Sequence, residues 1–372
     1  MTAPASTTAQ AAVLRTVGAP LQIETIEVGP PRDDEVLVRM VGVGVCHTDL
    51  ACQHGFPVPL PVVLGHEGSG VVEAVGSQVK NVKVGDHVVM SFNSCGHCHA
   101  CAHDHPANCS QFLAHNFGCA RLDDGSSPLA QNGQPVSGVF FGQSSFATYA
   151  IAREINTVAV DKSLPLELLG PLGCGIQTGA GAVINSLALQ AGESLAIFGG
   201  GPVGLAGLLG ARAVNAGQVF VVEPNPARRA LALQLGATQV FDPKDGSDIV
   251  AAIKEASGGG VNHALDTTAL TPVVLQAMNV ILPGGILGMV GIPAPEAAIP
   301  ATLLDLLVKN VTLKPITEGD ANPHTFVPHM LALYQQGKFP FDKLITTYPF
   351  SQINEAMNAA GKGEAVKPVL IF

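Results

Sequence analysis

The sequence predicts an α/β protein in which a β-rich region is joined to a doubly wound parallel sheet. Three observations carry this. Short apolar runs separated by glycine turns, with no helical period, fill most of residues 11–90. From Ser194 onward, apolar strands alternate with helical segments, the pattern of a parallel sheet covered on both faces. Where the rhythm changes stands Gly199-Gly200-Gly201-Pro202-Val203-Gly204, a glycine pattern between a strand and a helix.

Taken in order, Ala11 to Val28 reads as a strand pair, and Glu35 to Val41 as a strand that runs into a turn at Cys46. Val62-Val63-Leu64 leads to Gly65-His66-Glu67; Gly70 to Val75 and Val84 to Val89 continue the β pattern. Residues Phe112 to Phe146 are polar and glycine-bearing, and read as an extended surface loop of the kind often found at functional sites or interfaces. Ser194 to Phe198 is a buried strand, Pro202 to Ala216 a helix, Gln218 to Val222 a strand and Ala227 to Leu235 a helix. Further strands fall near Val240, Ala264 and Ile286 to Val290, and helices near His329 to Gln336 and Ile353 to Asn358. The parallel sheet is complete by about Lys314, so the closing segment is expected to return to the first domain. Residues 1–174 and 318–372 then form one domain and 175–317 the other.

Composition narrows the function classes. A chain of 372 residues has room for about two domains at ~150 residues each. Hydrophobic residues make up 47% and charged residues 13%, which suits a compact protein with buried subunit contacts, hence a homo-oligomer, dimer or tetramer. A net charge of −10 argues against nucleic-acid binding, which needs clustered Lys and Arg. Leu168 to Gly192 carries no charge, but Pro171, Gln177, Thr178 and Asn185 interrupt it, so it reads as buried backbone and helix rather than a membrane span. Met1 to Ala12 has neither a basic start nor an apolar block, so a cytoplasmic protein is expected. Its first residues, about nine, are expected to fray.

Eight cysteines are present, and their spacing suits metal rather than a disulfide framework. Cys95, Cys98, Cys101 and Cys109 are spaced C-x2-C-x2-C-x7-C, which fits a closed tetrahedral zinc site. An iron–sulfur cluster is the competitor, but no proline directly follows the last cysteine and no second cluster set exists. His97, His99, His103 and His105 crowd this loop and read as solvated residues. Cys52 and Cys119 have no partner at metal spacing and read as structural.

A second set begins with Cys46-His47-Thr48-Asp49 and Gly65-His66-Glu67, a thiol and an imidazole each near an acidic residue. Ligating histidines usually pass their other N–H to a carboxylate. Cys174 is the candidate third ligand, giving a Cys2His set with an open fourth position that can polarise an alcohol. Thr48 can take the alcohol proton by hydrogen bond, and Glu67 is either a fourth ligand or, as favoured here, an outer partner. Gly199, Gly201 and Gly204 follow a strand and open a helix, and Glu223 lies 24 residues after Gly199 at a strand end. That is the setting of a dinucleotide site with the pyrophosphate at the helix N-terminus. An acidic side chain at 223 accepts ribose hydroxyls and repels a 2′-phosphate, favouring NAD, while Arg228 and Arg229 lie nearby and soften this preference.

These residues give the chain a resemblance to the zinc-containing medium-chain alcohol dehydrogenases, and within them to the bacterial aryl (benzyl) alcohol dehydrogenases. It is carried by Cys46-His47-Thr48-Asp49, Leu64-Gly65-His66-Glu67-Gly68, the four-cysteine loop, Gly170 to Gly179, and Tyr334 to Pro340. The resemblance implies a GroES-like catalytic domain and a Rossmann coenzyme domain, with the active site in the cleft between them. It implies two zinc ions per chain: a catalytic one on Cys46, His66 and Cys174, with Asp49 orienting His66, and a structural one. It implies NAD as cofactor, with His47 and Lys367 near the coenzyme pyrophosphate, and Phe92 lining the substrate pocket. The expected partner is a small alcohol or aldehyde, an aromatic or allylic primary alcohol of the benzyl type. A glutathione-dependent formaldehyde dehydrogenase or general alcohol dehydrogenase on the same scaffold is the alternative, and a non-catalytic zinc and nucleotide-binding module the remote one. One departure stands out: family members carry histidine where this chain has Ala51, so the proton relay beyond Thr48 falls to water.

Overall fold

Glu35–Gly44 is buried along nearly its whole length, with only Arg39 exposed, and it forms the centre of a seven-stranded sheet. Valine and methionine alternate there with residues that are also covered, as a strand packed on both faces requires. The structure, a computed structural model, is described for residues 6–299 and 301–372. Contacts divide the chain into two units. The first comprises residues 1–174, 322–328 and 345–372, and the second residues 175–321 and 329–344. The stretch 329–344 therefore packs with the second unit, although the sequence pattern suggests a single return near 318.

In the first unit the sheet runs Thr157–Val160, His87–Met90, Gly68–Val75, Glu35–Gly44, Lys367–Ile371, Ile345–Pro349. Tyr149–Arg153 also pairs with Glu35–Gly44. The C-terminal strand is antiparallel to the central one, with Val369 opposite Gly44, which brings Lys367 to the turn after Gly44. A five-stranded sheet contains Thr7–Leu14, Gln22–Val28, Val62–Val63 and the hairpin Leu129–Gln131/Gln134–Val136. The first strand starts at Thr7, so the N-terminal tail is shorter than expected; residues 1–5 lie outside the described residues.

The expectation of an extended surface loop over Phe112 to Phe146 is corrected. That stretch holds the helix Phe112–Phe117, the hairpin just named, and a single 3-10 turn at Phe140–Gly142. Phe140, Phe141 and Phe146 are buried in the unit's main core.

The second unit is a six-stranded parallel sheet in the order Gln239–Phe241, Val219–Val222, Leu195–Phe198, Val261–Asp266, Ile281–Met289, Thr312–Pro315. Leu195–Phe198 and Val219–Val222 are fully buried four-residue strands, as parallel strands covered by helices should be. Among the described residues no helix is long and apolar enough to cross a membrane.

Candidate active site and metal centres

Cys46 caps the helix His47–Gln53, directly after the central strand. Asp49, fully buried in the first turn of that helix, accepts the Cys46 backbone N–H through Oδ2 at 3.0 Å. Its Oδ1 accepts the Gly65 backbone N–H at 3.0 Å and lies 3.1 Å from His66 Nδ1. One carboxylate thus ties the Cys46 turn to the His66 turn and sets the imidazole tautomer. Gly65 has φ of +86°, and a Cβ there would lie 2.5 Å from the Phe146 backbone nitrogen, so only glycine fits.

With Nδ1 on Asp49, His66 Nε2 is buried without any hydrogen-bond partner. It belongs to a group with Cys46, Glu67 and Cys174 whose candidate ligand atoms all lie within 4.8 Å of one another. Two thiols and an aimed imidazole lone pair fit zinc. Cys174 is set by the turn Gly170–Gly173, where Ser91 Oγ donates to the Gly173 carbonyl at 2.6 Å. The Cys46 thiol is held well below the usual range, chiefly by its hydrogen bond with Cys174 and against burial, with His66 and Lys367 assisting. Burial opposes charge on His66, but Asp49 and Cys46 outweigh it and hold the imidazole well above its usual value. A divalent cation bound here would take the Nε2 lone pair and both sulfurs, and its binding would release a proton. Thr48 Oγ1 lies 3.8 Å from Cys46 Sγ.

Glu67 and Lys367 form a fully buried pair: Lys367 Nζ donates to Glu67 Oε1 at 2.8 Å, to Oε2 at 2.9 Å, and to the Val45 carbonyl at 3.1 Å. Burial pushes Glu67 upward, and Lys367 pulls it only part of the way back, so the carboxyl stays above its usual value. Burial likewise opposes the Lys367 charge, which Glu67, Cys46 and Cys174 more than restore. Two short contacts to both carboxylate oxygens mark the pair as ionised. All three ammonium donors of Lys367, which the resemblance sets near the coenzyme pyrophosphate, are engaged here within the first unit. His47, set there too, is exposed at the start of its helix.

Around His66 lies an aromatic cluster that sequence reasoning missed except for Phe92. Phe141 stacks on the imidazole at 4.5 Å and 27°, and Phe140 meets it edge-on at 5.4 Å. Phe117 packs on both, Phe112 on Phe141, and the buried Phe92 on Phe112 at 5.7 Å. The signal was present as Phe140-Phe141 within an otherwise polar stretch.

The second metal group is Cys95, Cys98, Cys101 and Cys109, again within 4.8 Å of one another. Backbone N–H groups point at the sulfurs: Cys98 at Cys95 Sγ (3.2 Å), and Cys95 and Gln111 at Cys109 Sγ (both 3.4 Å). Such donors support thiolate ligands. Hydrogen bonds from the Cys101 and Ser110 backbone hold Cys98 down to about 5, whereas burial pushes Cys101 up to about 12. The loop histidines 97, 99, 103 and 105 are exposed, and Cys52 and Cys119 are buried free thiols.

In the second unit, Gly199 has φ of +98° and Gly204 packs so closely on the Gly199 carbonyl that a Cβ would lie 1.9 Å away. Gly201, at the N-terminus of helix Pro202–Ala213, faces open space within 4 Å of where a Cβ would be. Glu223 is buried; its Oε2 accepts Gly200 N–H and its Oε1 accepts Asn225 N–H, both at 2.7 Å. Arg229 donates to the Glu223 carbonyl at 2.7 Å and pairs with Asp242. Arg228 keeps a buried Nε without a partner. An open glycine at a helix N-terminus, an acidic strand end and an unpaired guanidinium nitrogen fit a dinucleotide.

The geometry agrees with relatives of known kind. Residues 32–162 match the alcohol dehydrogenase GroES-like domain and residues 202–336 the zinc-binding dehydrogenase family. The chain is 65% identical to a geraniol dehydrogenase from Castellaniella defragrans, over 98% of each chain. It superposes on the benzyl alcohol dehydrogenase of Acinetobacter calcoaceticus with a TM-score of 0.95 and 44% identity, covering 98% of this chain and 99% of that one. A zinc-binding alcohol dehydrogenase domain protein from Burkholderia ambifaria gives a TM-score of 0.97 at 49% identity, covering 99% and 100%. The chain belongs to the zinc-containing medium-chain alcohol dehydrogenase family.

Proposed function

We propose that this alcohol dehydrogenase oxidises an allylic or aromatic primary alcohol to its aldehyde, with NAD as hydride acceptor and two zinc ions per chain. The observation that carries the substrate class is the likeness to a geraniol and a benzyl alcohol dehydrogenase, and the phenylalanine cluster packed on His66 supplies apolar surroundings that suit it. A flat unsaturated group against such a wall buries ~150 Å² of apolar area, worth roughly 3–4 kcal/mol over a small alcohol.

When bound, zinc supplies polarisation of the alcohol oxygen and NAD supplies the hydride acceptor. Cys46, His66 and Cys174 hold the metal, and Asp49 keeps His66 in the tautomer that presents Nε2. Thr48 is placed beside Cys46 to receive the substrate hydroxyl proton. Ala51 carries no titratable group, so water takes the proton onward. Glu223 receives the adenosine ribose hydroxyls and disfavours a 2′-phosphate. The four-cysteine loop holds the second zinc and keeps its fourth position closed.

A homo-oligomer is part of this reading. Leu303, Leu304, Leu307 and Val308 are 87%, 67%, 76% and 72% exposed, and their helix precedes the edge strand Thr312–Pro315. Unpaired strand edges and contiguous apolar faces are natural subunit contacts.

The test is kcat/KM for geraniol, benzyl alcohol, ethanol and hydroxymethylglutathione, with NAD and with NADP. The reading expects the two unsaturated alcohols to exceed ethanol by at least tenfold and NAD to exceed NADP. Preference for ethanol or the glutathione adduct would refute the substrate class, and equal cofactor efficiencies the role of Glu223.

A further inference from the structure

We propose that Gln143 is a positioning residue for the metal ligand His66. Its side chain is 1% exposed and uses its whole amide. Oε1 accepts the Gly68 N–H at 3.0 Å, while Nε2 donates to the His66 carbonyl at 2.9 Å and the Ser91 carbonyl at 3.1 Å. The Gly68 N–H and the His66 carbonyl belong to the two peptide groups that flank Glu67. The amide therefore stands where a neighbouring strand's peptide would stand, just before the strand Gly68–Val75 begins. Asp49 fixes the His66 ring through Nδ1, Phe141 fixes its plane, and Gln143 fixes its backbone. Nε2 is left aimed at the other ligands.

The turn that carries Gln143 is itself held in an unusual conformation. Val139, Phe141 and Ser144 have φ of +53°, +51° and +50°, and the first is β-branched, for which the left-handed region is a real outlier. Such backbone persists only where its surroundings over-determine it. Here they do. Ser144 Oγ donates to the Val63 carbonyl at 2.6 Å and accepts Phe140 N–H at 2.8 Å. Asn156 Nδ2 reaches the Gly142 carbonyl at 3.2 Å and the Ser91 carbonyl at 3.0 Å. Ser145 and Phe146 N–H groups bond the Gly65 and Leu64 carbonyls at 2.8 and 3.0 Å. One strained turn thus presents Phe140 and Phe141 and clamps the ligand they pack against, so the proposed substrate wall and the metal ligand share one support.

This inference rests on the catalytic metal lying on Cys46, His66 and Cys174. Gln143→Met preserves length and removes all three bonds. With cobalt in the catalytic site, the variant should keep both metals and bind NAD as the parent does. It should shift the visible cobalt band, speed hydrogen exchange at the Gly68 amide, and lower kcat about 10- to 100-fold, as loss of a ligand's support typically does. Asn354→Leu is the control: its amide clamps the Leu21 N–H and carbonyl, both at 2.9 Å, away from the metal, so the variant should lose stability without altering band or kcat. A Gln143→Met protein with the parental cobalt band and kcat overturns the proposal. If that variant does not fold, Gln143→Asn reaches only one flank and should move the same readouts less; no movement there overturns it equally. Cys174→Ser tests the metal assignment separately, because an unchanged cobalt band in that variant would remove the premise whatever position 143 does.

Discussion

Lys367→Met should be strongly destabilising, and the loss should depend on pH. The side chain is fully buried, and its three donors serve Glu67 twice and Val45 once. Methionine fills the stem but strands a buried carboxylate. Removing one partner of a buried ion pair costs about 3–5 kcal/mol, and the orphaned Val45 carbonyl adds about 1 kcal/mol. In the Lys367→Met/Glu67→Leu double variant both charges are gone, and most of the loss should return. The measurement is urea unfolding of the first unit in a Cys174→Ala background, so that the freed carboxylate has no complete metal site to join. At ~2.5 kcal/mol per molar urea the midpoint should fall by roughly 2 M. Burial already raises the Glu67 pKa, and without the ammonium it rises further. A carboxyl with a raised folded-state pKa contributes full stability below its unfolded value, about 4.3. That contribution is lost as pH rises through the folded value. The gap between variant and parent should therefore close toward acid and widen toward neutrality. A midpoint within experimental error of the parent at neutral pH, or a gap that grows toward acid, would refute the ionised pair.

The remaining expectations concern metal, proton and assembly. Cys174→Ala should leave a folded protein with one zinc and no turnover, whereas Cys101→Ser should lose the other zinc and unfold at lower temperature; one zinc in fully active parent protein would sink the two-site reading. Ala51→His should raise kcat or shift its pH profile near neutrality if proton release limits turnover, and an unchanged profile would assign control to water or another step. Leu304→Glu with Leu307→Glu should convert an oligomer to a smaller species in sedimentation, and an unchanged mass would exclude that helix from the contact.

What was legible in the chain was what local spacing dictates. Cys46 follows the central strand and His66 precedes the strand paired with it, the four-cysteine loop closes on itself, and the glycines of 199–204 need only the strand before them and the helix after them. Lys367 could not be read this way. It meets Glu67 only because the last strand pairs with the central one at a particular register, 300 residues away in sequence. The stretch Phe112 to Phe146 misled for a different reason. Its glycines, aspartates and serines signal loop, and the signal is locally correct, but the turn at Val139–Ser144 is buried by adopting positive φ at valine, phenylalanine and serine. No propensity selects that conformation. Tertiary hydrogen bonds from Ser144, Asn156 and Gln143 impose it, and each of those residues alone is an ordinary polar side chain. Two polar residues of a stretch that reads as surface loop, Gln143 and Ser144, are therefore buried and bonded to the segment that carries Val63 and His66. Local rules fail at this turn because tertiary hydrogen bonds, rather than the residues' own backbone preference, set its conformation.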